Sequence, residues 1–116
     1  MKMMQSHTEY YDRLRVLSSK LAKEIPKSMT AFGRLHEVTM AAGALDTKAK
    51  ELISLGIAIT VRCNGCISYH VHDALRAGAT REEIMETIGV AIVMGGGPSM
   101  VYGCEALEAL EQFQAL

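Results

Sequence analysis

The chain is predicted to be all-α, an antiparallel bundle of about six helices, and three observations carry that prediction. Of its 116 residues, 49% are hydrophobic but only 5% aromatic, so the core must be aliphatic and Met-rich, which suits packed helices better than a sandwich or barrel. Apolar residues recur every three or four positions through most of the sequence. Proline, glycine and capping residues divide these periodic stretches into segments of ordinary helix length. A chain of this size is expected to form one domain, residues 1–116, without a separate substrate lobe.

Each helix has its own signals. Leu14, Leu17, Leu21 and Ile25 form an apolar stripe between Arg13, Arg15, Lys20 and Lys23, predicting a helix over 8–25 that Pro26 ends. Ser28 is the expected cap of a second helix reaching Ala42, with Gly43 as its left-handed stop. Asp46 caps a third, carrying Glu51, Leu52, Leu55, Ala58, Ile59 and Val61; it is apolar almost all round after Leu52 and therefore central. The β-branched stretch from Ile57 to Val61 has no strand-like partner, so helix is preferred. A fourth helix runs from Asn64 or Cys66 to Ala77 and stops at Gly78. Thr80-Arg81-Glu82-Glu83 is a capping box opening a fifth, and Pro98 suits the first turn of a sixth. The run Gly95 to Gly97 follows a helix and lacks the Lys-Ser/Thr of a phosphate loop, so it reads as a hinge. Gly56 and Gly89, inside helices, suggest close helix-to-helix approach.

Charge and targeting signals narrow the function. Twelve Lys and Arg against thirteen Asp and Glu give a net charge of −1, so no nucleic-acid partner is expected. The opening MKMMQSHTEYYDRL lacks the apolar core of a signal peptide, and the longest apolar runs, 55–61 and 88–94, fall far short of a membrane span. A soluble, cytoplasmic protein is expected. Three cysteines are an odd number, a poor fit to a secreted disulfide framework.

Two of the cysteines form Cys63-Asn64-Gly65-Cys66. On a helix beginning there, Cys63, Cys66 and His70 lie at i, i+3 and i+7 on one stripe, with His70 a single turn from Cys66. The imidazole and the helix N-terminus both favour thiolate over thiol. A thiolate beside a second thiol is what attack on a peroxide and closure of a disulfide require. The plain alternative is a pair of buried cysteines beside a hydrogen-bonded histidine. Zinc on Cys63, Cys66, His70 and His72 is disfavoured because His72 points about 200° away from His70 on a helix. A thioredoxin arrangement would need strands. Glu51, twelve residues before Cys63, would lie about 18 Å from it on an unbroken helix, so only a fold-back or a neighbouring subunit brings it to His70. A helix-entry carboxylate favourable to the dipole is the equal alternative. Asp73, three residues after His70, is placed to orient its imidazole, but reads rather as a solvated charge paired with Arg76 or Arg81; His7, His36 and Cys104 have no informative spacing.

The pattern Glu51, Cys63-x-x-Cys66, His70, together with Lys50-Glu51-Leu52, Ala77-Gly78-Ala79-Thr80 and Glu82-Glu83-Ile84, resembles the AhpD-like alkylhydroperoxidases of the carboxymuconolactone decarboxylase family, over roughly Leu35 to Phe113. The resemblance implies an all-helical fold assembled as trimers or hexamers. It implies that Cys66 is the peroxidatic cysteine and Cys63 the resolving one, with His70 and Glu51 as a proton relay. It further implies no tightly bound cofactor or metal, and electrons from an external thiol or a lipoyl-bearing protein, with a peroxiredoxin as a possible recipient. The chain lacks the second helical half of the longer peroxidases, and the residues inside its CxxC are Asn64 and Gly65 rather than a histidine.

The function expected is a thiol-dependent peroxidase or disulfide oxidoreductase. Two other classes stand beside it: a decarboxylase-like lyase using His70 and Glu51, and a non-catalytic redox-sensing helical oligomer. The apolar excess of so short a chain is expected to be subunit interface in a homo-oligomer.

Overall fold

Helix boundaries follow the local signals closely. The computed structural model describes residues 3–116 and places α1 at His7–Glu24, α2 at Pro26–Met40, α3 at Thr47–Thr60, α4 at Asn64–Arg76, α5 at Arg81–Gly95 and α6 at Gly97–Gln114. Asp46 Oδ1 accepts the Ala49 N–H at 2.7 Å, starting α3 as its sequence predicts. Thr80 and Glu83 complete the capping box of α5, each side chain accepting the other's backbone N–H. The stretch from Ile57 to Val61 is helical up to Thr60, with Val61 as the cap.

Helix α2 departs from expectation at both ends. It begins at Pro26 itself, directly after Ile25, and Ser28 lies inside it rather than capping it. Proline needs no N–H partner in a first helical turn, so no polar cap is required there. The helix ends at Met40, and Gly43 is not in the left-handed region. Lys50 Nζ donates instead to the carbonyls of Thr39 (2.8 Å) and Ala41 (2.6 Å), and Thr47 Oγ1 donates to that of Met40 (3.0 Å). Orphan carbonyls satisfied by an ammonium and a hydroxyl do not need a glycine turn.

Helices α3 to α6 enclose the core, with Leu55, Ile59, Ile67, Val71, Ile84 and Leu110 fully buried. Helix α3 packs on α4 and α5, and α6 closes the group against α4 and α5. Helix α1 lies across α4 and α6, whereas α2 touches mainly α1 and buries none of its side chains. Close approach occurs at glycines other than those expected: a methyl on Gly56 would meet only Thr87 at an ordinary 3.7 Å, and one on Gly89 would meet nothing. The tight positions are Gly95, where an added methyl would collide with the Ser99 side chain, Gly103, where it would lie 2.9 Å from Ile88, and Gly65, where it would lie 2.9 Å from Leu14. The glycine run after α5 is a one-residue break, with Gly96 at φ 71°.

Candidate active site

Whether Glu51 reaches His70 is settled by the joint between α3 and α4. Val61 ends α3, Arg62 adopts φ 63°, and the N–H groups of Arg62 and Cys63 return to the carbonyls of Ile59 (3.2 Å) and Ala58 (3.1 Å). These are the two bonds of a Schellman turn, built here around an arginine where glycine is usual. The chain reverses, α4 lies back along α3, and Glu51 Oε2 comes 2.8 Å from His70 Nδ1 within one subunit.

Glu51 is 3% exposed, a position that is costly for a charged side chain without a partner. His70 supplies one. Its Nδ1–H donates to the carboxylate, which fixes the tautomer of the neutral ring and leaves Nε2 as the basic nitrogen. His70 and Cys66 line one cleft of about 220 Å³, together with Ser54, Ile57, Ala58 and Val61.

Cys63 and Cys66 are joined by a disulfide. Cys63 is the N-cap of α4, and its sulfur accepts the Cys66 N–H at 3.2 Å. Both sulfurs are taken up in this bond. His72 points elsewhere, stacked on Tyr11 with ring centroids 4.2 Å apart. Asp73 is bonded to His72 Nδ1 at 2.8 Å, not paired with Arg76 or Arg81 as its sequence position suggested, because the adjacent imidazole is the nearer donor. Its carboxylate and the Glu51–His70 pair have ligand atoms within 4.8 Å of one another, as do those of His7, Glu105 and Glu108.

Sequence reading missed a second polar chain. His7 is fully buried; its Nδ1 lies 2.6 Å from Ser68 Oγ and its Nε2 2.7 Å from Glu105 Oε2. No motif spacing flags residues 61 and 98 positions apart. His36 and Cys104 are exposed.

The sequence pattern of the Carboxymuconolactone decarboxylase family matches residues 26–109. The chain belongs to this family. Among solved structures it is similar to a carboxymuconolactone decarboxylase family protein from Legionella pneumophila, at 43% identity and TM-score 0.89 over 92% of this chain and 96% of that one. It is also similar to a family protein from Thermotoga maritima, described in connection with an antioxidative response, at 30% identity and TM-score 0.82 over 92% and 91% of the two chains. An uncharacterised protein of the cox locus of Paracoccus denitrificans is 43% identical over 82 residues, 71% of this chain and 74% of that protein. Family membership agrees with the resemblance read from the CxxC motif, and a fold of six helices with no strand among the described residues agrees with the expected all-α class. No helix among the described residues is long and apolar enough to cross a membrane.

Proposed function

We propose that the protein is a thiol-dependent peroxidase or disulfide oxidoreductase whose reactive groups are Cys66, Cys63, His70 and Glu51. The observation that carries this reading is the buried Glu51 carboxylate held on His70 at 2.8 Å, with His70 and Cys66 facing the same cleft. In the reduced chain, His70 Nε2 takes the proton of Cys66, and Glu51 stabilises the imidazolium so formed. The Cys66 thiolate attacks a hydroperoxide, the O–O bond breaks, and the sulfur becomes a sulfenic acid. The alkoxide leaves as an alcohol with the proton returned by His70. The Cys63 thiol then attacks the sulfenic sulfur, forming the disulfide and releasing water. An external dithiol returns two electrons and two protons, itself becoming a disulfide.

The assignment of roles has support on both sulfurs. Cys66 lines the cleft with His70, whereas Cys63 does not. Cys63 caps the helix and accepts a backbone N–H, which stabilises it as the thiolate that leaves when the disulfide is reduced. This cycle uses no bound cofactor, and its electrons come from a small thiol or a lipoyl-bearing protein. A peroxiredoxin is the possible onward recipient.

Assembly into a homo-oligomer, a trimer or hexamer, belongs to the same proposal. Helix α2 buries nothing and leaves Phe32, Leu35 and Val38 more than half exposed, and an amphipathic helix of this length is marginal without a packing partner. A second apolar groove of about 490 Å³ runs between α3 and α5, lined by Ile53, Ile57, Val90 and Met94.

Peroxide consumption with dithiothreitol or dihydrolipoamide as reductant tests the reaction. The parent chain is expected to turn over and Cys66→Ala to be inactive; a Cys66→Ala chain that keeps its rate overturns the thiol mechanism. Lactone decarboxylation persisting in that variant would transfer the Glu51–His70 pair to the lyase reading.

A further inference from the structure

The turn carrying the cysteines is anchored from outside the α3–α4 pair. Ser68, fully buried two residues after Cys66, lies with its hydroxyl 3.1 Å from the Asn64 carbonyl and 2.6 Å from His7 Nδ1. His7 in turn is fixed on α6, with Nε2 at 2.7 Å from Glu105 and its backbone N–H donating to Gln112 Oε1 at 2.6 Å. Asn64 lies between the two cysteines, so an unbroken hydrogen-bonded chain runs from α6 through the first residue of α1 into the redox turn. A second contact acts at the same place: Tyr10 and Leu14 of α1 close over Gly65, where an added methyl would lie 3.1 and 2.9 Å from them. The turn needs such support, because Asn64 Oδ1 is buried without a hydrogen-bond partner among the described residues.

We propose that His7, held by Glu105 and acting through Ser68, is a positioning residue that keeps Cys63 and Cys66 in register for disulfide closure. None of these three side chains belongs to the Glu51–His70 pair or lines its cleft. Ring closure between two sulfurs is favoured by the orientation imposed on them before the bond forms. A clamped first turn holds the reduced thiols close to their oxidised arrangement, so little freedom is lost on closure. Releasing the clamp lets the reduced turn relax, which favours dithiol over disulfide. The same release slows capture of the Cys66 sulfenic acid by Cys63 and leaves it open to a second peroxide.

The proposal rests on the redox reading of the cysteine pair, yet its test needs no peroxide turnover, so each can fail without the other. The full-length chain is equilibrated with reduced and oxidised dithiothreitol: two electrons and two protons pass to the Cys63–Cys66 disulfide, and the reagent closes to its cyclic disulfide. Ser68→Ala is expected to shift this equilibrium about fivefold toward the dithiol, the scale of one lost buried hydrogen bond. Leu110→Ala, a fully buried position in the same core, serves as a destabilised control and is expected to lower Tm without moving the equilibrium. If Ser68→Ala does not fold, Glu105→Ala, at the less buried end of the clamp, is read in its place with the same expectation. A shift below about twofold in the folded clamp variant, or an equal shift in the Leu110 control, overturns the proposal. Where Cys66 of the parent forms sulfinic acid under peroxide, more of it on the Cys66 peptide of the clamp variant supports the proposal, and an equal amount counts against it.

Discussion

Helix α4 is entered and left through the same backbone turn, built from different residues. At its exit, the N–H groups of Gly78 and Ala79 return to the carbonyls of Leu75 and Ala74, with Gly78 at φ 95°. At its entry, Arg62 and Cys63 return to Ile59 and Ala58, with Arg62 at φ 63°. Glycine occupies the left-handed position without penalty, whereas an L side chain there costs roughly 1–2 kcal/mol. The exit turn only joins α4 to α5. The entry turn delivers Cys63 to the N-cap and swings His70 back over Glu51. Left-handed strain at a non-glycine residue collects where the surrounding structure dictates the conformation, and here that place adjoins the cysteines.

The largest expected difference between the two ends is chemical. Glu51→Gln removes the carboxylate that orients His70, and peroxide turnover is expected to fall about a hundredfold, the lower range for a positioned acid–base group. Gly78→Ala, at the other end of the helix, is expected to leave that rate within about twofold in the folded chain, because it touches no proposed reacting group. A matching loss in both would erase the functional distinction between the turns.

Packing gives the next effect. Ile67 is fully buried in the first turn of α4, and Ile67→Ala is expected to cost about 2–5 kcal/mol in denaturant unfolding. The turns themselves come next, with opposite signs. Gly78→Ala is expected to destabilise by about 1 kcal/mol, purely through its backbone angle, since no atom lies within 4 Å of the added methyl. Arg62→Gly is expected to be neutral or stabilising by up to about 1 kcal/mol, relief of strain being partly offset by the freedom glycine gains in the unfolded chain. Equal losses at both positions would mean that Arg62 makes contacts that compensate its backbone strain.

The smallest effect lies just beyond the exit. The Thr80 N–H first, and Lys48 second, hold the Glu83 carboxyl below its ordinary range. Its folded value lies below its unfolded one, so its contribution is complete at neutral pH and is lost as the pH falls through the folded value. Both side chains of this pair are on the surface, which keeps the effect slight. Glu83→Gln is expected to flatten the acid limb of the stability profile a little, measured by denaturant unfolding at neutral and acid pH.

Legibility in the sequence followed the same division. Gly78, Asp46 and the Thr80–Glu83 box announce themselves because each acts on its own neighbours. The C-terminal end of α2 differs from its local signals for the converse reason: its last carbonyls are satisfied by Lys50, about ten positions on. Cys63, Cys66 and His70 were legible as a group because they share one short segment, and their spacing on a helix is a local property. The contact of His70 with Glu51 was open until the turn at Arg62 was known, and arginine gives no sign of a left-handed conformation. His7, Ser68 and Glu105 come from three helices and carry no periodic signal at all.

The sequence by itself determined the helices, the caps of α3 and α5, the apolar excess and the cysteine pair, since all of these depend on residues within a turn or two of one another. Tertiary structure alone decided which carboxylate meets His70 and that His7 bridges Ser68 and Glu105. Those contacts span 19 to 98 positions, and their existence depends on how α4 folds back on α3 and where α1 lies across α4 and α6. A reversal of direction and the packing of whole helices are set by the core as a unit, not by the residues that happen to meet because of it.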